Sequence, residues 1–102
     1  MLKGKIKNGF SFKADEKVLN DWRFVKLIAK TESGNMTEKF IAVTKIVEML
    51  LGDEEEERLT EYIASKNDGF VPQDEMYHAV IDIISVMKEK IEKSKKSSPS
   101  PE

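Results

Sequence analysis

Two helical segments of this sequence are apolar over more of their circumference than a helix needs to pack against one core. On a helical wheel of about 100° per residue, the apolar arc spans roughly 220° in segment 73–94 and roughly 200° in segment 37–51. The chain has 102 residues, enough for one domain. A domain of this size buries only about two-thirds of the surface that its unfolded chain exposes. We therefore expect another polypeptide chain to cover part of this apolar surface.

The residues at the edges of the two arcs are the ones that we predict to contact another chain. These predicted protein-interaction residues are Ile46, Met49, Tyr77, Ile81 and Val86. In the alternative arrangement, segment 37–51 is central in the fold, and segment 73–94 is covered by the N-terminal hairpin and the first helix. That arrangement would leave no surplus apolar surface for a partner.

Composition and charge exclude several classes of site and partner. The chain has no cysteine, which excludes disulfides, thiolate zinc sites and cysteine nucleophiles. Its formal net charge is −2, whereas non-specific nucleic-acid binding needs a concentrated basic surface. The longest apolar stretch, residues 40–51, contains Lys45 and Glu48 and is too short to cross a bilayer. We expect a cytoplasmic protein with no nucleic-acid or membrane partner.

The N-terminal residues 3–13 are predicted to form a β-hairpin. Asn8-Gly9 is typical of a two-residue type I′ turn, in which both central residues need positive φ. The alternation then places Ile6, Phe10 and Phe12 on one buried face. Because an isolated hairpin is marginally stable, it must pack against helices.

Four helices are predicted after the hairpin. The first starts after Ala14 or Asp15 and runs to about Thr31. Its apolar stripe is predicted to contain Val18, Trp22, Val25 and Ala29, with Leu19, Leu27 and Ile28 alongside. The predicted caps and stops of the others are Thr37 and Gly52 for the second, Asp53 and Asn67-Asp68-Gly69 for the third, and Pro72 at the start of the fourth. The fourth helix is expected to end near Ser94.

The expected fold class is therefore mostly α (α+β), with an N-terminal β-hairpin packed on a four-helix domain. Residues 1–94 are predicted to form this single domain. Residues 95–102 are rich in lysine, serine and proline and are predicted to form a disordered tail.

No residue is predicted to be catalytic, cofactor-binding or metal-ligating. His78 is the only histidine and falls on the polar side of its helix. The carboxylates of residues 53–57 point in different directions around their helix, and helix capping explains them. Segment 64–75 aligns with a calcium-binding loop at Asp68, Gly69 and Glu75, but its first and third positions are alanine and lysine. Calcium binding is therefore disfavoured.

The order and spacing of several motifs resemble the tail assembly chaperones of siphophages and prophages of Gram-positive bacteria. The motifs that carry the resemblance are KIKNGFSF at 5–12, DEKVLNDW at 15–22, MLLGDEEEE at 49–57, NDGFVP at 67–72 and the Lys/Ser/Pro tail. The resemblance implies a homo-oligomerising protein that binds the tape measure protein and helps to recruit tail tube protein subunits. It also implies that the protein acts in the cytoplasm of the bacterial host, has no catalytic residues and is absent from the mature virion.

Two other functions remain open from the sequence. One is a small helical adaptor or regulatory module that keeps a degenerate calcium-loop-like turn at residues 64–75. The other is a small enzyme, which is disfavoured because no convergent set of polar residues is recognisable.

Overall fold

The computed structural model describes residues 1–96 and confirms the predicted class, mostly helical with an N-terminal antiparallel hairpin. Its elements are strands β1 (Leu2–Lys5) and β2 (Ser11–Ala14), a short 3-10 helix (Glu16–Asn20), and helices α1 (Trp22–Ser33), α2 (Met36–Lys66) and α3 (Gln73–Lys96). The described part of the chain has three α-helices where four were predicted. The difference arises because α2 contains both the second and the third predicted helices.

The two strands of the hairpin pair in a regular antiparallel register. Leu2 lies opposite Ala14 and Lys5 opposite Ser11, so that alternate side chains face the helices. The prediction that Ile6, Phe10 and Phe12 are buried is confirmed, since each of these side chains is at most 5% exposed.

The turn of the hairpin differs from the predicted two-residue type I′ turn. The amide of Ile6 donates to the carbonyl of Phe10 (3.0 Å), and that of Gly9 donates to the carbonyl of Ile6 (2.9 Å). Gly9 has φ +95°, whereas φ of Asn8 is not positive. The connection is therefore a three-residue loop, Lys7 to Gly9, with glycine in the left-handed position.

Side chains of α2 contact this loop directly. The carbonyl oxygen of Asn8 accepts hydrogen bonds from the hydroxyl of Tyr62 (2.8 Å) and from Nζ of Lys66 (2.7 Å). A Cβ at Gly9 would lie 2.7 Å from that hydroxyl. Glycine is required there both by the backbone angle and by the close approach of Tyr62.

The predicted first helix is broken at Asp21, and three residues of its predicted stripe are exposed. The other predicted apolar residues pack against the core, namely Val18, Leu19, Leu27 and Ile28. Asp21 is extended (φ −76°, ψ 128°) and caps α1 by accepting the amide of Arg23. A helical wheel that starts at Val18 cannot continue across this break. Phe24 is 2% exposed, whereas Trp22 is 72% and Val25 44% exposed. Ala29 is exposed as well.

The start of α2 is capped by Asn35 and not, as predicted, by Thr37. The side chain of Asn35 accepts the amide of Glu38 (2.8 Å), and the Glu38 carboxylate accepts the amide of Asn35 (3.1 Å). This reciprocal pair is a capping box, which satisfies two backbone donors at once. Thr37 already lies within the helix.

Helix α2 bends at Gly52, where φ is +76° and ψ is 172°. Helical geometry is therefore interrupted at the predicted glycine, and two helical segments follow one another there without a connecting loop. The predicted cap Asp53 has helical backbone angles and so cannot be an N-cap, which needs a non-helical conformation. The helix ends at Lys66, directly before the predicted Asn67-Asp68-Gly69 stop.

Helix α3 begins one residue after Pro72, whose carbonyl oxygen accepts the amide of Met76 (3.1 Å). It ends at Lys96, two residues beyond the predicted end near Ser94. The rest of the predicted tail, 97–102, lies outside the described residues.

One hydrophobic cluster joins the hairpin and all three α-helices. Its centre contains Leu59 and Ile63 of α2 and Ile83 and Met87 of α3, all at most 1% exposed. Helix α1 packs mainly on α2, and β1 packs on α3. In the alternative arrangement considered above, the hairpin and the first helix both cover the last helix. The hairpin does cover part of α3, whereas α1 covers α2 instead.

The orientation of α1 can be tested with two aromatic truncations. We expect Phe24→Ala to lower the free energy of unfolding by about 3–5 kcal/mol, because it empties a buried site. Trp22→Ala should change the free energy of unfolding by less than about 0.5 kcal/mol, since its side chain is mostly in water. Urea denaturation followed by circular dichroism measures both. Equal losses would show that Trp22 is buried.

The bend of α2 depends on glycine for a purely conformational reason. No atom lies within 4 Å of a Cβ built on Gly52, yet its backbone angles belong to a region that only glycine adopts readily. We expect Gly52→Ala to lower the free energy of unfolding by about 1–3 kcal/mol. Lys45→Ala, at an exposed position of the same helix, is the control and should stay within about 0.5 kcal/mol of the parent.

Candidate functional site

An apolar groove of about 460 Å³ opens between the first turns of α2 and α3. Its lining residues are Met36, Lys39, Phe40, Val43, Gln73, Asp74 and Tyr77. Exposed apolar surface of this kind marks binding sites more often than an exposed single residue does. The groove is therefore the candidate functional site.

Helical spacing places the apolar residues of the α2 wall on one face. Met36, Phe40 and Val43 stand at positions i, i+4 and i+7. Val43 is 8% exposed and forms the floor, whereas Phe40 is 38% and Met36 69% exposed. Methionine is flexible and polarisable, so Met36 can adapt its shape to a bound chain.

The opposite wall is the first turn of α3, and its charge differs from that of the α2 wall. Tyr77 presents a half-buried ring, one turn after Gln73. Lys39 stands on the α2 wall and Asp74 on the α3 wall, and no salt bridge joins them within residues 1–96. A ligand in the groove thus meets a cation on one side and a carboxylate on the other.

The predicted interaction residues are distributed over different environments. Tyr77 lines the groove, and Ile81, one turn further along α3, is 42% exposed. Met49 and Val86 are half-buried against the core. Val86 borders a crevice with the hairpin residues Lys5 and Ile6.

Ile46 is 2% exposed, so its assignment as an interaction residue is wrong. Helix α1 and the hairpin both pack on α2 and cover more of its circumference than the wheel anticipated.

Met36 and Phe40 were missed for different reasons. Met36 precedes Thr37, where the second helix was predicted to begin. Phe40 was assigned to the centre of the apolar stripe of that helix, and only the tertiary packing leaves that end of the stripe uncovered. The capping signal Asn35-x-x-Glu38 places Met36 at the first residue of the helix. Because Met36 is the first residue of α2, the capping signal could have indicated that Met36 lies at the edge of the core.

The acid-rich and histidine positions form no metal centre in the part of the chain that the structure describes: no three His, Cys, Asp or Glu side chains are grouped closely enough. Ala64 and Lys66 belong to the last turn of α2. Oε2 of Glu75 accepts a hydrogen bond from Nδ2 of the Asn67 side chain (2.9 Å). The calcium-loop-like segment is thus the end of a helix followed by a turn, with Glu75 already engaged.

The carboxylate of Glu56 lies in an unfavourable electrostatic environment next to the bend of α2. Partial burial raises the pKa of Glu56 above its ordinary value of 4.5, and the nearby carboxylates of Glu48 and Asp53 raise it further. The negative charge of Glu56 therefore opposes folding at neutral pH.

Comparisons with protein-family models, with curated proteins and with solved structures found no match to this chain. No helix within residues 1–96 combines the length and the apolar character needed to cross a membrane.

The environment of Glu56 predicts a stabilising substitution with a defined pH dependence. A raised pKa means that the folded chain holds this proton more tightly than the unfolded chain does. Stability is therefore lost as pH rises from 4.5 through the pKa of the folded state. We expect Glu56→Gln to unfold at higher urea concentration than the parent at pH 7, with the difference shrinking at pH 4.

Glu57→Gln is the matched control, because Glu57 is exposed and lies in the same helical turn. It should give no gain in stability at pH 7. An equal gain from both substitutions would mean that general charge reduction, and not the environment of Glu56, is responsible.

Proposed function

We propose that this protein binds a helical segment of another protein in the groove between α2 and α3, and that it acts as a phage tail assembly chaperone. The observation that carries the binding proposal is the groove itself, with the exposed side chains of Met36 and Phe40 at its α2 wall. The motifs described above supply the chaperone assignment by resemblance.

A helix suits the groove because both walls are helices and the lining is mainly apolar. An amphipathic helix binds in such a groove through residues spaced at i, i+3 or i+4 and i+7. Lys39 and Asp74 on opposite walls favour a ligand whose polar edges carry opposite charges, which fixes its direction along the groove. Flexible Met36 and the exposed ring of Phe40 allow related segments to bind with modest affinity.

In the proposed role, the bound chain is the tape measure protein, and several copies of the chaperone cover its length. Many weak contacts along one long chain produce high avidity. The same proposal includes homo-oligomerisation, recruitment of tail tube protein, action in the cytoplasm of the bacterial host and absence from the mature virion. It includes no catalytic activity.

The adaptor alternative gains no support from the region on which it was based. Residues 64–66 are helical, and Glu75 is engaged by Asn67. We therefore propose the chaperone function alone.

Co-expression with a tape measure protein fragment tests this proposal. The parent chain should keep the fragment in the soluble fraction and co-purify with it. We expect Phe40→Glu to reduce binding by about tenfold or more, because it places a charge against an apolar ligand surface.

Ile41→Glu is the matched control, since Ile41 is 52% exposed on the same helix but does not line the groove. It should bind the fragment like the parent. Circular dichroism checks that both variants are folded. Equal effects of the two substitutions would refute the groove as the binding site. If the parent does not solubilise the fragment, the chaperone proposal fails.

A further inference from the structure

Helix α1 presents a second uncovered apolar surface, separate from the groove between α2 and α3. Trp22, Val25 and Ala29 stand at positions i, i+3 and i+7 of the helix, and all three are exposed. We call this set the outer face of α1. The inner face, which includes Phe24, packs against the core and holds α1 in place on α2.

The two edges of the outer face carry opposite charges. On a wheel of about 100° per residue, Glu32 falls on one edge, whereas Lys26 and Lys30 fall on the other. These three side chains are exposed, and none of them forms a salt bridge within residues 1–96. Arg23 and Asp21 at the start of α1 pair with each other at 2.9 Å. The outer face therefore has one acidic edge and one basic edge.

The groove requires a ligand of this kind. Its walls suit an amphipathic helix with apolar residues at i, i+3 or i+4 and i+7, and Lys39 and Asp74 suit a helix with oppositely charged edges. The outer face of α1 meets both requirements. In one of the two directions along the groove, Glu32 faces Lys39 and the lysine edge faces Asp74. The reverse direction brings like charges together, so charge fixes the direction.

Trp22 is the side chain that the groove would enclose. It is 72% exposed, and tryptophan is among the residues most enriched at the energetic centres of protein interfaces. The groove has a volume of about 460 Å³, and its lining includes Met36, Phe40 and Tyr77, side chains that pack well against an indole ring. Burial of Trp22 there also covers the exposed parts of Met36 and Phe40.

The outer face that enters the groove must belong to a second copy. Helix α1 ends at Ser33, shortly before Met36 and the groove, whereas Trp22 is at the far end of this 12-residue helix, which is about 18 Å long. Because the inner face fixes α1 on α2, the outer face cannot turn into the groove of its own chain.

We propose that, in the absence of the tape measure protein, the groove is occupied by the outer face of α1 of a second copy of this chain. One contact then covers both apolar surfaces, and because the two surfaces differ, the contact can repeat from copy to copy. The tape measure protein and the second copy compete for the same groove. This competition rests on the proposed function, whereas the self-contact does not depend on it.

Fluorescence of Trp22 reports the self-contact directly, because Trp22 is the only tryptophan of the chain. We expect its emission to shift to shorter wavelength as the protein concentration rises from about 1 μM to 1 mM, the range in which weak contacts form. Sedimentation velocity should show the accompanying increase in mass. Phe40→Glu should weaken self-association about tenfold or more, because it places a charge against the indole ring. Ile41→Glu, outside the groove, is the control and should behave like the parent.

Mixing two variants tests whether the contact joins these two surfaces. Phe40→Glu keeps Trp22 but has a disrupted groove, and Trp22→Ala keeps the groove but has no tryptophan. Neither variant alone should increase in mass. An equimolar mixture should form a dimer and shift the Trp22 emission to shorter wavelength, because Trp22 of one variant enters the intact groove of the other. Circular dichroism checks that each variant is folded.

The charged edges allow a test that does not depend on Phe40→Glu. Lys39→Glu and Glu32→Lys should each weaken self-association by up to about fivefold, since each brings like charges together. A chain that carries both substitutions should associate like the parent, because the pair is restored in reversed order.

Four results would overturn the self-contact. No emission shift of the parent would mean that a different polypeptide covers these surfaces. A shift that survives Phe40→Glu would identify pairing of α1 with α1. An equal loss from Ile41→Glu would place the contact outside the groove. No shift in the mixture of variants would show that the groove and the outer face do not meet.

A tryptophan-free tape measure protein fragment separates this inference from the proposed function. When the fragment binds, it should return the Trp22 emission of the concentrated parent to longer wavelength. Binding without that return would refute the competition. If the fragment does not bind while the self-contact is present, the proposed function fails and the self-contact stands.

Discussion

The bend of α2 at Gly52 is the constraint that organises the rest of the molecule. The half before the bend contributes buried residues from Ala42 to Leu51, and α1 packs mainly on α2. The half after the bend contributes Leu59 and Ile63 and supports the hairpin. A straight helix of 31 residues would be about 46 Å long. The bend lets one helix serve two packing surfaces that would otherwise lie far apart.

The hairpin is held on the second half of α2 by polar contacts around an apolar centre. The rings of Phe10 and Tyr62 lie 5.4 Å apart, and the guanidinium of Arg58 lies 5.1 Å from the centre of the Phe10 ring. The amide of Lys13 donates to Glu55 (3.2 Å). Each contact contributes on the order of 1 kcal/mol. The larger contribution is the burial of the hairpin's apolar side chains, and the polar contacts fix its position.

This arrangement leaves apolar surface uncovered in two separate places. One is the groove between the first turns of α2 and α3, with Lys39 and Asp74 on opposite walls. The other is the face of α1 on which Trp22, Val25 and Ala29 are exposed.

The sequence alone determined the elements whose cause is local. Alternation predicted the buried hairpin face, the Asn67-Asp68-Gly69 signal predicted the end of α2, and the wide apolar arcs predicted surplus apolar surface. Tertiary structure decided where that surplus lies. The break at Asp21 turned Trp22 outward, and packing of α1 and the hairpin on α2 buried Ile46 while leaving Phe40 at a groove. A helical wheel gives only the angle of a side chain around its own axis. Which angles are covered depends on how neighbouring elements pack, and that is a property of the whole chain.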